Sequence, residues 1–184
     1  MKRILRNRLA LSTVITTLII LVVSILLASV LTYFAINVVS TRVQEESLYV
    51  SNQHIWVNSA GVAEGALMVT NNGGRDVVIH KVSVRGQQSQ WTDVFYSAAV
   101  KTDDLTIELN YTAAPVAVGN DLGLADTAHQ ANNTSLILPS GNTMVIYFNS
   151  PDSIGINDIG LTVSISLHSS EAVYYSEVNI QATP

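Results

Sequence analysis

From Leu9 to Thr41 the chain runs for 33 consecutive residues without a charged side chain, and the eight residues before it hold Lys2, Arg3, Arg6 and Arg8. A run of this kind can enter a water-free environment only if it satisfies its own backbone N–H and C=O groups, which predicts one long apolar helix. At about 1.5 Å of rise per residue such a helix reaches roughly 50 Å, against the ~30 Å of a hydrocarbon core. An ordinary secretory signal has an apolar stretch of only about 7–15 residues. The segment therefore reads as a membrane anchor with length to spare, and the part beyond one bilayer, roughly residues 33–47, as a stem. Basic residues before an apolar span stay on the cytoplasmic side, so the N-terminus is expected inside and the rest of the chain outside.

Charge divides at the same place. All 14 acidic residues lie at or after Glu45, accompanied there by only four basic ones, Arg75, Lys81, Arg85 and Lys101, so this part carries a net charge of −10. A surface of that sign excludes nucleic acid as a partner. Cysteine is absent, which excludes disulfides, iron–sulfur clusters and thiol nucleophiles. The roughly 140 residues after the helix are the size of one domain and large enough to hold together by packing alone.

Within the helix, apolar residues occupy the full circumference, as expected for a helix surrounded by lipid or by other helices. Ser12 and Thr16, Thr13 and Thr17, and Ser24, Ala28 and Thr32 recur at four-residue spacing, which lets neighbouring backbones approach closely. After Ser47 the period changes to two. Leu161-Thr-Val163-Ser-Ile165-Ser-Leu167 alternates as a half-buried strand does, and on 76–85 Val78, His80, Val82 and Val84 are expected on one face with Lys81, Ser83 and Arg85 on the other. Further strands are expected over 48–57, 65–71, 91–97, 105–111, 135–138, 142–148 and 173–180. Asn71-Asn72-Gly73-Gly74 and 168–171 supply turns, and 113–133 reads as a long surface loop. The expected architecture is α+β: a long N-terminal hydrophobic helix followed by an all-β antiparallel, immunoglobulin-like sandwich.

The segment LALSTVITTLIILVVSILLASVLTYFAINVVSTRVQEE, behind its short basic leader, resembles the N-terminus of archaeal type IV pilins and archaellins over roughly residues 1–47. GALMVTNNGGRDVVIHKVSVRG is similar to the start of the β-domain of such pilins. The resemblance implies a basic leader over 1–10, cut between Ala10 and Leu11 by a prepilin-type peptidase. It further implies a transmembrane or filament-core helix over 11–47 and an extracellular domain over 48–184. Leu9 stands where family members carry a basic residue, with Arg8 one place earlier. On this reading the partners are the membrane, pilus assembly machinery and other copies of the chain in a homopolymeric filament, packed through Ser12, Thr16, Ser24, Ala28 and Thr32. The protein is first a single-pass membrane protein and then part of an extracellular filament, pilus or archaellum. An uncleaved single-pass protein that displays a binding domain is the alternative from another class.

Chemistry is sparsely signalled. His54, His80, His129 and His168 show no metal-ligand spacing, and 152–158 lacks the alternating ligands and terminal Glu of an EF-hand. Neither a nucleophile elbow nor a phosphate loop is present. The expectation is therefore no enzyme, no catalytic or metal site and no cofactor. Asn110, Asn132 and Asn133 head N-x-Ser/Thr acceptors for a glycan. Trp56, Trp91, Tyr96, Tyr174 and Tyr175 are either an adhesive aromatic patch or ordinary packing residues.

Overall fold

In a computed structural model, residues 2–100, 108–112, 115–122, 126–131, 135–151 and 154–183 are described. The chain divides into two compact units, Met1–Val43 and Gln44–Pro184. The first is a single helix, α1 (Lys2–Gln44). The second is all β: β1 (Leu48–Val57), β2 (Ala63–Asn71), β3 (Val77–Val84), β4 (Gln87–Gln88), β5 (Val94–Val100), β6 (His129–Gln130), β7 (Leu136–Leu138), β8 (Asn142–Asn149), β9 (Thr162–Ser169) and β10 (Val173–Ala182). The fold is thus α+β, with one long apolar helix and one large sheet.

That sheet runs in the order β4-β3-β9-β10-β1-β2-β8-β5-β6, with β7 beside β3. Every pairing is antiparallel except β1 with β10, which is parallel through Ile55–Val57 and Ile180–Ala182. The purely antiparallel expectation is therefore corrected to a mixed sheet curled into a half-barrel. The reason is connectivity: β10 reaches β1 from the far end of the chain, and local alternation carries no information about the direction of such a partner. The Asn71–Gly74 turn is likewise no hairpin. It carries the chain from β2, bonded to β1 and β8, to β3, bonded to β9 and β7.

One apolar cluster lines the concave side. It includes Ile55 and Val57 of β1, Leu67 and Val69 of β2, Val77, Ile79, Val82 and Val84 of β3, Met144, Ile146 and Phe148 of β8, Val163, Ile165 and Leu167 of β9, and Val178 and Ile180 of β10. Fully burying one side chain of this size contributes about 1.5–3 kcal/mol. Two β-bulges decide who joins it. In β3 the register with β9 shifts between Ile79 and Lys81, so the inward set changes from Val77 and Ile79 to Val82 and Val84. The expected common face for Val78, His80, Val82 and Val84 is corrected accordingly: His80 is exposed. In β1 the shift lies between Ser51 and His54, where Asn52 adopts φ of 49°. There the inward set changes from Leu48 and Val50 to Ile55 and Val57. An inserted residue reverses parity in a period of two.

A second cluster covers the convex side: Trp56, Ala66, Met68, Phe95, Val145 and Tyr147 from the sheet, with Leu109, Val116, Leu122 and Ala128 laid over them. The segment read as a surface loop over 113–133 thus contributes buried residues, because β2 and β8 have apolar side chains on both faces. Of the strand expected over 105–111, residues 105–107 lie outside the described ones and Glu108–Tyr111 are not in a strand. Trp91–Asp93 form a 3-10 turn ahead of β5.

Gly65 of β2 faces Phe148 of β8, and a Cβ at this position would overlap the Phe148 ring. Gly65→Ala is expected to lower stability by about 1–3 kcal/mol through overpacking, read as a reduced melting temperature of the full chain in lipid nanodiscs.

Candidate functional site

Two places gather residues with work beyond filling the core: the helix with its exit into the domain, and the convex cover of the sheet. On α1 every residue from Leu11 to Thr41 is exposed, including Leu18, Ile19, Ile20, Leu26, Leu27, Leu31 and Phe34. Apolar surface of this extent needs a cover of lipid or other protein. Six hydroxyls within it are satisfied by the helix itself: Thr16, Ser24, Ser29, Thr32 and Thr41 each donate to the carbonyl four residues back, at 2.7–2.9 Å, and Thr17 donates to Val14. Buried hydroxyls without partners are costly in hydrocarbon, and this back-bonding removes the cost. The predicted packing residues Ser12, Thr16, Ser24, Ala28 and Thr32 are all exposed. Leu11 is exposed as well, while the side chain of Ala10 lies outside the described ones. One apolar N-terminal helix of 31 uncharged residues, Leu11–Thr41, can anchor the protein in a membrane.

The chain enters the β unit through a clamp. The Ser47 carbonyl accepts from the N–H groups of Asn72 (2.8 Å) and Gly73 (3.2 Å). Buried Asn71 fastens the same turn: its Nδ2 donates to the carbonyls of Arg75 and Leu138, and its Oδ1 accepts from Gly73 N–H. Ser140 Oγ donates to the Gly73 carbonyl at 2.6 Å. A Cβ on Gly73 would stand 2.7 Å from the Glu45 carbonyl and 2.8 Å from the Ser47 nitrogen, both backbone atoms that cannot rotate away. Arg75 adds an exposed ion pair to Glu171 at 2.8 Å, which contributes little, and lies 4.0 Å from the buried Glu46 carboxylate.

On the convex side Glu64 of β2 is buried beneath the cover. Its two carboxylate oxygens accept from the Thr112 N–H (3.0 Å) and hydroxyl (2.8 Å). Burial pushes its pKa up, against the lowering effect of the two Thr112 bonds. Tyr147 donates its hydroxyl to the Asn110 carbonyl. Desolvation first, and the nearby Glu64 charge second, push that phenol up to about 12, so it remains a donor at neutral pH. Asn58 Nδ2 reaches the Tyr111 hydroxyl at 3.4 Å. Residues 110–112 are thereby tied to the sheet at three points.

Among the described residues no three His, Asp or Glu side chains come together as a metal site. His80 meets Ser170, His168 meets Ser83, His129 pairs with Asp126, and His54 stacks on Trp56. Asp152 lies outside the described residues; Asp158, from the same stretch, accepts from Gly155 N–H and pairs with Arg85. Of the acceptor asparagines, Asn110 is exposed, while Asn132 and Asn133 lie outside the described residues. The aromatic residues do not form one patch: Trp56 belongs to the convex cluster, Trp91, Tyr96 and Tyr174 pack against the concave one, and Tyr175 is exposed beside Glu177.

No family model matches this chain, and no curated protein matches it. Among solved structures it is similar to a family 123 glycoside hydrolase from Clostridium perfringens, at 11% identity and a TM-score of 0.33, over 76% of this chain and 27% of that one. It is also similar to a β-glucosidase from Listeria innocua in complex with glucose, at 13% identity and a TM-score of 0.27, over 74% and 16%. Scores this low carry no argument about fold or activity.

Sequence reasoning passed over Glu64, although a lone carboxylate inside the run Ala63–Val69 is itself a signal of a buried polar partner. Gly73 and Asn71 were legible as a turn but not as the clamp on Ser47. Gly73→Ala is expected to open that clamp, speeding proteolytic cutting around residues 44–48 about tenfold in limited digestion of the full chain, the effect of losing one or two hydrogen bonds of about 1 kcal/mol each. Glu64 has a folded pKa above its ordinary 4.5, so its contribution to stability is complete below that value and is lost as pH rises through the raised one. Glu64→Gln removes this dependence: the variant is expected to gain on the native chain between pH 4 and 7, read from denaturant midpoints across that range.

Proposed function

We propose that the chain is a structural subunit of an archaeal type IV pilus-like surface filament, serving adhesion or motility. A prepilin-type peptidase removes the leader between Ala10 and Leu11. The helix then passes from the membrane into the core of a homopolymer, where Ser12, Thr16, Ser24, Ala28 and Thr32 allow close approach of neighbouring helices. The acidic domain, with its curled mixed sheet, faces outward and carries any glycan at Asn110, Asn132 or Asn133. Archaellin is a sibling of this reading. It assigns no catalysis, metal or cofactor.

The observation that carries the proposal is the helix: Leu11–Thr41 is exposed throughout and apolar all round, and at about 1.5 Å per residue it spans roughly 46 Å, half as long again as a hydrocarbon core. Surplus apolar length of this kind is accounted for when a helix is sheathed by its own kind beyond the bilayer. The back-bonded hydroxyls favour a second reading, because a helix that satisfies its own polar groups is also at ease alone in lipid. On that reading the chain is an uncleaved, single-pass protein that displays its domain outside the cell.

Mass spectrometry of the N-terminus, on material sheared from native cells, separates the two. Mature chains beginning at Leu11, or within a residue or two of it, are expected from the filament reading. Chains that stay in the membrane pellet and retain Lys2 to Arg8 overturn it in favour of the tethered domain.

A further inference from the structure

The bulge in β1 has a counterpart on the convex side. By reversing parity between Ser51 and His54, it places His54 and Trp56 on the outer face, where their rings stack in parallel at 5.1 Å with an interplanar angle of 9°. Tyr111 stands 6.3 Å from Trp56, tilted at 56°. Together with Asn52, Glu108, Asn110 and Gln181 these rings line an open cleft of about 700 Å³, within the roughly 300–1,000 Å³ of small-ligand sites.

We propose that this cleft binds a saccharide, one or two pyranose units of a neutral glycan. The lining matches that chemistry. A pyranose has an apolar C–H face, which packs against aromatic rings; Trp56 is only 7% exposed with one face taken by His54, so half-buried His54 and Tyr111 present the accessible ring surface. The sugar's rim of hydroxyls both donates and accepts, and the planar amides of Asn52, Asn110 and Gln181 do the same, with Glu108 as a further acceptor. An apolar ligand would strip water from the exposed side chains of Glu108 and Gln181 without replacing its hydrogen bonds.

The cleft is also preorganised. Asn110 and Tyr111 sit on the segment that Glu64, Tyr147 and Asn58 tie to the sheet, and Leu109 between them and Glu108 is buried. Little ordering is left for the ligand to impose. The inference is independent of the filament reading, since the cleft belongs to the domain whether the chain is polymerised or tethered. Two sources share the chemistry: a glycan on another molecule, and one attached to this chain at Asn110, whose side chain lines the cleft.

The test uses the full chain, made in a host without N-glycosylation and held in lipid nanodiscs, titrated with cellobiose, mannobiose and chitobiose. Trp56 fluorescence in a Trp91→Phe background and saturation-transfer NMR are the readouts. Saturable binding with a Kd on the order of 1 mM is expected, weakened about tenfold by His54→Ala and by Gln181→Ala and unchanged by Tyr175→Ala on exposed β10. Circular dichroism establishes that each variant is folded, and the exposed Gln181 position keeps the test standing if His54→Ala is not. Absence of binding by all three sugars at about 10 mM, or binding that neither cleft variant weakens, overturns the proposal. The mass of the Asn110 peptide from native cells then assigns the source: a glycosylated peptide means the chain's own glycan, an unmodified one a glycan from outside.

Discussion

Burial of β2 and β8 on both faces is the constraint on which the rest of the domain depends. All nine residues of β2 are buried, so the sheet must find apolar cover on each side. The concave side solves this by curling, which brings β3, β9 and β10 over β1, β2 and β8 around one cluster. Among the described residues no second sheet covers the convex side, and the segment after β5 supplies Leu109, Val116, Leu122 and Ala128 instead. A chain laid over a sheet brings its own polar backbone with it, and those groups need partners. Glu64, Tyr147 and Asn149 provide them: Asn149 accepts from Val116 N–H and donates to its carbonyl. The buried carboxylate is thus a consequence of the two-sided core, and the cleft at its margin is where the cover ends.

The helix obeys a different rule. From Leu11 to Thr41 every side chain is exposed, so its stability has to come from its own hydrogen bonds and from whatever surrounds it. Back-bonded Ser and Thr side chains make both lipid and a bundle of like helices acceptable surroundings. Within the domain, the Asn71–Gly74 turn has no spare volume, and the missing Cβ at Gly73 admits the Glu45 carbonyl and the Ser47 nitrogen.

How much of this was legible follows from the range of each interaction. The helix, the alternation of Val163, Ile165 and Leu167 in β9, and the β9–β10 hairpin around Ser169–Ala172 were readable because their periods and turns are local. Val78 and His80 were assigned to the wrong face because a bulge is set by the partner strand, not by the residues beside it. The cover segment reads as a loop in the sequence because Pro115, Gly119 and small residues interrupt its period, while its buried side chains are spaced to fit β2 and β8 rather than themselves. His54, Trp56 and Tyr111 could be seen singly, yet their meeting needs the bulge and the cover together.

The sequence by itself determined a long apolar helix behind a basic N-terminal segment, an acidic β-domain beyond it, and the alternation of most strands, since all of these are written in spacing and charge along the chain. Only the tertiary structure decided that β1 and β10 pair in parallel, that two bulges exchange the faces of β1 and β3, and that Glu64 lies buried under Thr112. Those outcomes rest on contacts between residues dozens to more than a hundred positions apart, where the free energy of covering both faces of the sheet outweighs any local preference.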